Sequence, residues 1–253
     1  MAIKKTKLAL LVARAIQQFV NPAFAQTSSP PAADASLPEI KVQGDKDLGY
    51  SPAFSSGATK SNAPLRDVPQ TVNVIPQQLI QDQAARSMQD VLRNVPGVGM
   101  SNGDGQRDQV TIRGFSAIAD QFIDGIRDDA LYFRDLSNIE RVEVLKGPAA
   151  VLYGRGSSGG LINRVTKKPQ AGTFGEIALT LGSYDLKRTT FDVNAGANEN
   201  INFRVTGAYE DSGSFRDQGF IERSSLAPSL SIKFTEDTKL LVQAEFSKDK
   251  RIT

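Results

Sequence analysis

The sequence predicts a small α+β domain followed by a run of antiparallel β-strands, and three observations carry that reading. Between residues 60 and 168, short strand-like stretches alternate with two helix-start signals and Gly-Pro breaks. After Pro169 the texture changes to strict period-two alternation over five consecutive segments of about 8–11 residues. No run approaches the ~20 apolar residues of a membrane-crossing helix. A membrane form of this chain must therefore be a β-barrel, in which strands satisfy one another's backbone groups.

The elements of the first domain follow in order. Residues 70–75 (Gln-Thr-Val-Asn-Val-Ile) alternate like a strand, and Pro76 suits the first turn of a helix carrying Leu79-Ile80 and Ala84-Ala85. Ser87-Met88-Gln89-Asp90 before Val91-Leu92 reads as a capping box opening a second short helix, which Pro96-Gly97 stops. A polar loop around Gly103-Asp104-Gly105 follows. Residues 110–115, 122–126 and 139–145 are expected as further strands. A Gly147-Pro148 break, a short apolar turn and a strand through Leu161-Ile162-Asn163 close the domain, with glycines where the backbone bends or approaches a neighbour.

In the second part, Ile177, Leu179 and Leu181 alternate with Glu176, Ala178 and Thr180. The same alternation recurs over Phe191, Val193 and Ala195, over Ile201 to Tyr209, over Leu226 to Phe234 and over Leu240 to Phe246. Residues 196–200 and 235–238 read as tight turns, and 211–224 as a longer polar connection. Short turns on one side and longer loops on the other fit a transmembrane barrel and suggest its orientation. A soluble antiparallel sheet with one wet face has the same pattern.

Composition narrows function by exclusion. Of 253 residues, 40% are hydrophobic and 23% charged, with a net charge of +2, which suits a folded chain without a nucleic-acid partner. Cysteine and histidine are absent. Disulfides, thiolate metal sites, haem-His ligation and Ser-His-Asp or Cys-His catalysis are excluded with them. Gly154-Arg155-Gly156-Ser157-Ser158-Gly159 satisfies the dinucleotide pattern G-x-G-x-x-G, but a strand follows it rather than a helix, so no βαβ unit surrounds it. At the start, Lys4, Lys5 and Lys7, an apolar run over residues 8–13 and Ala23-Phe24-Ala25 resemble an export signal over residues 1–25. Residues 26–59 read as a linker, Ser/Pro/Ala-rich over 26–36. Within it Leu37, Pro38, Glu39, Ile40, Lys41 and Val42 alternate, and such an exposed stretch could add as a strand to a partner's sheet edge.

The motifs Asp67-Val68-Pro69-Gln70-Thr71-Val72, Val91-Leu92-Arg93-Asn94-Val95-Pro96-Gly97, Thr111-Ile112-Arg113-Gly114-Phe115, Phe122-Ile123-Asp124-Gly125-Ile126-Arg127-Asp128 and Glu143-Val144-Leu145-Lys146-Gly147-Pro148 occur in sensible order and spacing. Together they resemble the plug of a TonB-dependent outer-membrane siderophore receptor, and the likeness covers residues 37 to about 250. Asp124 to Asp128 and Tyr153-Gly154-Arg155-Gly156 are most similar to catecholate-type receptors. The resemblance implies an α+β plug domain over residues 60–168, followed over 169–253 by the first strands of an incomplete transmembrane β-barrel. It places the protein in the outer membrane of a Gram-negative bacterium, in contact with lipid. It implies TonB, with its ExbB/ExbD energising complex, as partner, and Glu39, Ile40, Lys41 and Val42 as the TonB-binding strand. It implies no resident cofactor and a ferric siderophore as cargo. Arg107, Gln121, Tyr132, Phe133 and Arg134 are then the cargo-binding candidates, unless the arginines merely order loops by pairing with nearby aspartates. Arg113 and Lys146 would face acidic groups of the barrel wall, or else pair locally with Glu140 or Glu143. Family barrels have about 22 strands, so this chain is expected to be an N-terminal portion. The alternatives are a non-transporting plug fragment, or a receptor for another large nutrient such as cobalamin.

Overall fold

A computed structural model describes residues 64–101, 107–156 and 158–252, together with Tyr50, Pro52, Phe54, Ser55 and Lys60. The export signal, the Glu39–Val42 segment and the loop around Gly103 lie outside the described residues. Everything described belongs to one compact unit, Asp45–Thr253.

The first part is built on a five-stranded sheet. In chain order its elements are β1 (Thr71–Pro76), α1 (Gln77–Asp82), α2 (Met88–Leu92), β2 (Val98–Ser101), β3 (Gln109–Ile112), β4 (Phe115–Ser116), β5 (Gln121–Ile123), β6 (Ile126–Arg127), β7 (Ile139–Lys146), α3 (Ala150–Tyr153) and β8 (Gly160–Thr166). The main sheet has the order β1-β7-β8-β5-β6, with only β5 and β8 parallel, and β2-β3-β4 form a smaller sheet. Pro76 ends β1 and caps α1, where its missing N–H costs nothing. The Ser87–Asp90 capping box forms in full: Asp90 N donates to Ser87 Oγ at 3.2 Å and Ser87 N to Asp90 Oδ2 at 3.1 Å.

Helices α1 and α2 press Ile80, Met88, Val91 and Leu92 against Ile75, Val142, Val144 and Ile162 on one face of the sheet. The residues of opposite parity, Leu145 and Leu161, pack on the other face with Val68, Phe122 and Tyr153. The Phe122 and Tyr153 rings meet edge-on at 4.8 Å. Two stretches expected as single strands are instead two-residue hairpins. Arg113 and Gly114 (φ 51° and 84°) fold β3 onto β4, and Asp124 and Gly125 (φ 49° and 81°) fold β5 onto β6. Both turns take left-handed backbone at two successive residues, as the right-handed twist of a tight hairpin demands.

The second part is a single antiparallel sheet of β9 (Phe174–Gly182), β10 (Leu186–Gly196), β11 (Ile201–Gly213), β12 (Phe220–Lys233), β13 (Lys239–Gln243) and β14 (Phe246–Ile252). Its order is β13-β12-β11-β10-β9, and β14 also pairs with β12. β13 and β14 are thus one fifth strand broken at Ala244-Glu245, opposite Pro228, which has no N–H to donate to a ladder. The connection expected over 211–224 is shorter, because β11 and β12 continue through it and leave only residues 214–219 as loop. Among the described residues the edges β9 and β13/β14 have no further strand partner.

Burial parity separates the two readings of this sheet. Ile177, Leu179 and Leu181 are 67–73% exposed, and Val193, Phe203, Leu226, Val242 and Phe246 also point outward. The covered face holds Arg188, Asp192, Asn194, Arg204, Thr206, Glu210, Ser212, Arg223, Ser229 and Ser231. A soluble sheet hides its apolar side. This one hides its polar side, as lipid-facing barrel strands do.

At the junction of β7 and β8, Gly160 has φ +141°, and a Cβ there would stand 2.1 Å from Leu145 O. Gly160→Ala is expected to cost about 3 kcal/mol, combining left-handed strain and overpacking. A fall in the urea midpoint at unchanged m-value checks this, and an unshifted midpoint would refute it.

Candidate functional site

The segment between β6 and β7 brings the expected aromatic cluster to a concave surface shared with the strand sheet. Tyr132 and Phe133 border a cavity of about 120 Å³ closed by Asp135, Arg223, Ser225, Glu245, Ser247 and Asp249. Beyond them, Leu131 and Arg251 line an adjoining space of about 270 Å³. Arg251 of β14 stacks on the Phe133 ring at 3.7 Å from its centroid, and its guanidinium also pairs with Asp249, Nε to Oδ1 at 2.6 Å. Aromatic faces beside a paired cation suit a bulky, polarisable ligand.

Two of the candidates do not reach this surface. Gln121 is fully buried on β5, held there by pairing with β8, and neither atom of its amide finds a hydrogen-bond partner among the described residues. Arg134 is 2% exposed and organises the loop from inside. Its backbone N donates to Asp108 Oδ2 at 3.0 Å, its Nη2 to the carbonyls of Ala130 (2.8 Å) and Asp128 (3.1 Å), and its Nη1 to Tyr132 O (3.2 Å). Its Nε reaches Asp128 Oδ2 at 3.3 Å, an oxygen that also takes the Tyr132 hydroxyl at 2.8 Å and Arg164 of β8. These contacts are those of the loop-ordering alternative for Arg134. Arg107 lies half-buried beside Asp108.

Arg113 and Lys146 come together as neighbouring cations. The Arg113 guanidinium lies over Gly147, directly after Lys146. Burial lowers the Lys146 pKa, and the positive charge of Arg113 lowers it further. The local partners suggested for them are occupied elsewhere: Glu143 binds Arg141 Nε at 2.9 Å and Asn163 Nδ2 at 3.0 Å, and Glu140 lies 3.5 Å from Arg141. Among the described residues neither cation has an acidic partner.

Residues 64–161 match the TonB-dependent receptor plug domain. They form a TonB-dependent receptor plug. The chain is 38% identical over 233 residues to the probable TonB-dependent receptor BfrD of Bordetella pertussis, covering 88% of this chain and 31% of that protein. Among solved structures, the siderophore receptor PiuA of Acinetobacter baumannii superposes with a TM-score of 0.74 at 32% identity, over 79% of this chain and 29% of that one. The ferric-catecholate import receptor Fiu of E. coli K12 gives 0.72 at 32%, over 79% and 30%. The chain spans about a third of the length of the curated relatives it matches. Among the described residues the strands that follow the plug form an open partial wall, not a closed barrel.

Plug and wall meet through charges that inspection of the sequence did not single out. Glu210 of β11, 1% exposed, receives Arg188 Nη1 and Arg223 Nη2 at 2.7 Å each and Arg86 Nη1 at 3.1 Å. Arg188 also holds both oxygens of Asp135 in the plug, at 3.2 and 3.0 Å. Arg223 Nε stands 3.2 Å from Asp135, an ion contact without hydrogen-bond alignment. A second cluster joins Asp192 to Arg204, bidentate at 2.8 Å, and to Lys167 of the plug at 3.0 Å. The available signal was parity: Arg188, Asp192, Arg204, Glu210 and Arg223 all sit at positions that alternate with lipid-facing residues.

The plug carboxylates record this environment. Burial alone would raise the pKa of Asp135, but Arg188 and Arg223 outweigh it and hold the group below the usual range. Arg164 and Arg134 do the same for Asp128 against its burial, and hydrogen bonds from Arg86 N and Ser87 with Arg93 do so for Asp90. Asp108 moves the other way, because burial outweighs Arg134. A depressed folded pKa means the unfolded chain binds more protons, so these three groups stabilise above the unfolded value of ~3.9 and lose that stabilisation as pH falls through the folded values. Unfolding free energy is expected to drop as pH is lowered below ~5, with a shallower slope in Asp135→Asn; identical slopes in urea titrations at several pH values would refute the assignment. Glu210→Ala, which leaves buried arginines without their acid, is expected to cost about 3–5 kcal/mol, whereas exposed Glu236→Ala stays within about 0.5 kcal/mol.

Proposed function

We propose that this chain is the plug and first wall strands of an outer-membrane receptor that binds a ferric siderophore and admits it when TonB engages the N-terminal segment. The observation that carries the reading is the Tyr132–Phe133 surface on a TonB-dependent receptor plug, facing a cavity completed by wall residues 245–251. Its relatives include proteins named for siderophores of different chemistry, among them a ferrioxamine receptor and a catecholate siderophore receptor. They support an iron chelate as cargo class without fixing its ligand type. On this reading the iron arrives already chelated, and the protein needs no iron ligands of its own. Among the described residues no helix is long and apolar enough to cross a membrane, and the membrane role falls to the strands.

Three parts take defined roles. Tyr132 and Phe133, backed by Leu131, offer stacking faces to the chelate, and Arg251 supplies a cation from the wall. Glu39, Ile40, Lys41 and Val42 add as a strand to TonB. Arg113 and Lys146 present paired positive charge to acidic groups on a wall segment beyond the described strands.

Calorimetric titration of the full-length receptor with a panel of ferric catecholates and hydroxamates tests cargo. At least one complex is expected to bind, and Tyr132→Ala with Phe133→Ala to weaken it tenfold or more. No heat with any iron complex would remove the cargo assignment. Deleting residues 39–42 is expected to abolish iron-limited growth supported by that complex while leaving its binding intact; undiminished growth would disprove the TonB-binding role.

A further inference from the structure

Resting on the cargo reading, we propose that the inner cavity is a subsite for a cationic arm of the chelate, an alkylammonium group, and that Glu245 is the residue that selects it.

Strand parity puts Glu245 in the cavity. Leu240, Val242 and Phe246 point outward, so Gln243, Glu245, Ser247 and Asp249 point inward. Gln243 confirms the direction, since its Nε2 donates to Thr166 Oγ1 of the plug at 2.8 Å. The break at residues 244–245 leaves the register unchanged: Ser229 stands opposite Gln243 on one side of it and Leu226 opposite Phe246 on the other. The same count sets Glu245 opposite Ala227, whose other neighbour is Thr206. Ala227 offers only a methyl, which leaves the carboxylate room to reach across it toward the plug. Asn138 of the plug spans that spot, accepting from Thr206 Oγ1 at 3.2 Å and donating through its amide to Glu245. This neutral bond orients the carboxylate and leaves its charge unanswered.

The surrounding arginines are held by other acids. Arg223 binds Glu210 at 2.7 Å and stands 3.2 Å from Asp135. Arg188 and Arg86, farther back, both bind Glu210. Arg251 pairs with Asp249, and Arg164, whose field reaches Glu245, is bonded to Asp128. Among the described residues Glu245 is thus a cavity carboxylate without an ion pair, and it is exposed there.

Size and polarity match an arm rather than a whole ligand. The inner space holds about 120 Å³, well under the ~300 Å³ at which pockets begin to enclose a drug-sized molecule. The body of the chelate stays in the adjoining space of about 270 Å³. Arg251 borders only that outer space and Glu245 only the inner one, so the charge offered to a ligand changes sign with depth. Tyr132 and Phe133 border both. Aromatic rings beside a carboxylate are the surroundings in which an ammonium group is held.

Calorimetric titration of the full-length receptor with four iron complexes tests the proposal: a linear ferric trishydroxamate and a ferric triscatecholate, each with a free terminal amine and with that amine acetylated. Acetylation removes the charge and leaves the iron centre alone. At least one amine form is expected to bind about tenfold or more tightly than its acetylated twin, as a charge-assisted hydrogen bond provides. Glu245→Gln keeps an acceptor for Asn138 and loses the charge. It is expected to equalise the twins while leaving the acetylated one bound as before, with heat-modifiable electrophoretic mobility reporting a folded barrel. Equal binding of the twins by the unaltered receptor overturns the inference whether or not the variant folds, and so does an undiminished preference, or an equal loss for both twins, in the folded variant. No binding of any of the four complexes would instead remove the cargo reading itself.

Discussion

A sheet whose polar side is covered cannot satisfy itself, and that requirement organises the molecule. Arg188, Glu210 and Arg223 project from three adjacent strands into a space where each unpaired charge would cost several kcal/mol. The plug supplies what the strands lack. Asp135 enters between the two arginines and Arg86 reaches Glu210, so five charged groups from both parts share one buried network. Ser137 bonds Ser225 and Asn138 bonds Thr206 nearby, which keeps the turn after Arg134 against the wall. The loop bearing Tyr132 and Phe133 is fixed at one end by that turn and from beneath by Asp128 and Arg164.

Much of this architecture is legible from the order of residues alone. Period two marks every wall strand, because lipid on one side and polar contacts on the other leave no other arrangement for alternating residues. The capping box at Ser87–Asp90 is readable because both of its bonds are local. The hairpins at Arg113-Gly114 and Asp124-Gly125 were hidden by their apolar flanks: Ile112 with Phe115 and Ile123 with Ile126 look like continuous strands until the backbone doubles back. Residues 211–224 read as loop because their composition is polar, yet outside the lipid band a strand needs no apolar side.

The aromatic surface was legible in kind but not residue by residue. Tyr132 and Phe133 reach the cavity, whereas Arg134, their immediate neighbour, turns inward, because the loop's own carbonyls need a donor and a guanidinium can serve several at once. Gln121 carries no sequence mark of burial; only the pairing of β5 with the central strand β8 puts it in the interior. The wall residues that complete the site, Glu245, Asp249 and Arg251, lie more than a hundred positions away along the chain, and nothing local ties them to it.

The uneven charge sum at the junction ties the two parts together. Considered by themselves, Arg188, Glu210 and Arg223 carry one positive charge in excess; the plug brings Asp135 between the two arginines and Arg86 to the far oxygen of Glu210. Without the plug the strands do better with that side hydrated, so neither partner reaches its lowest energy separately. Each part therefore depends on the other for the pairing of its buried charges.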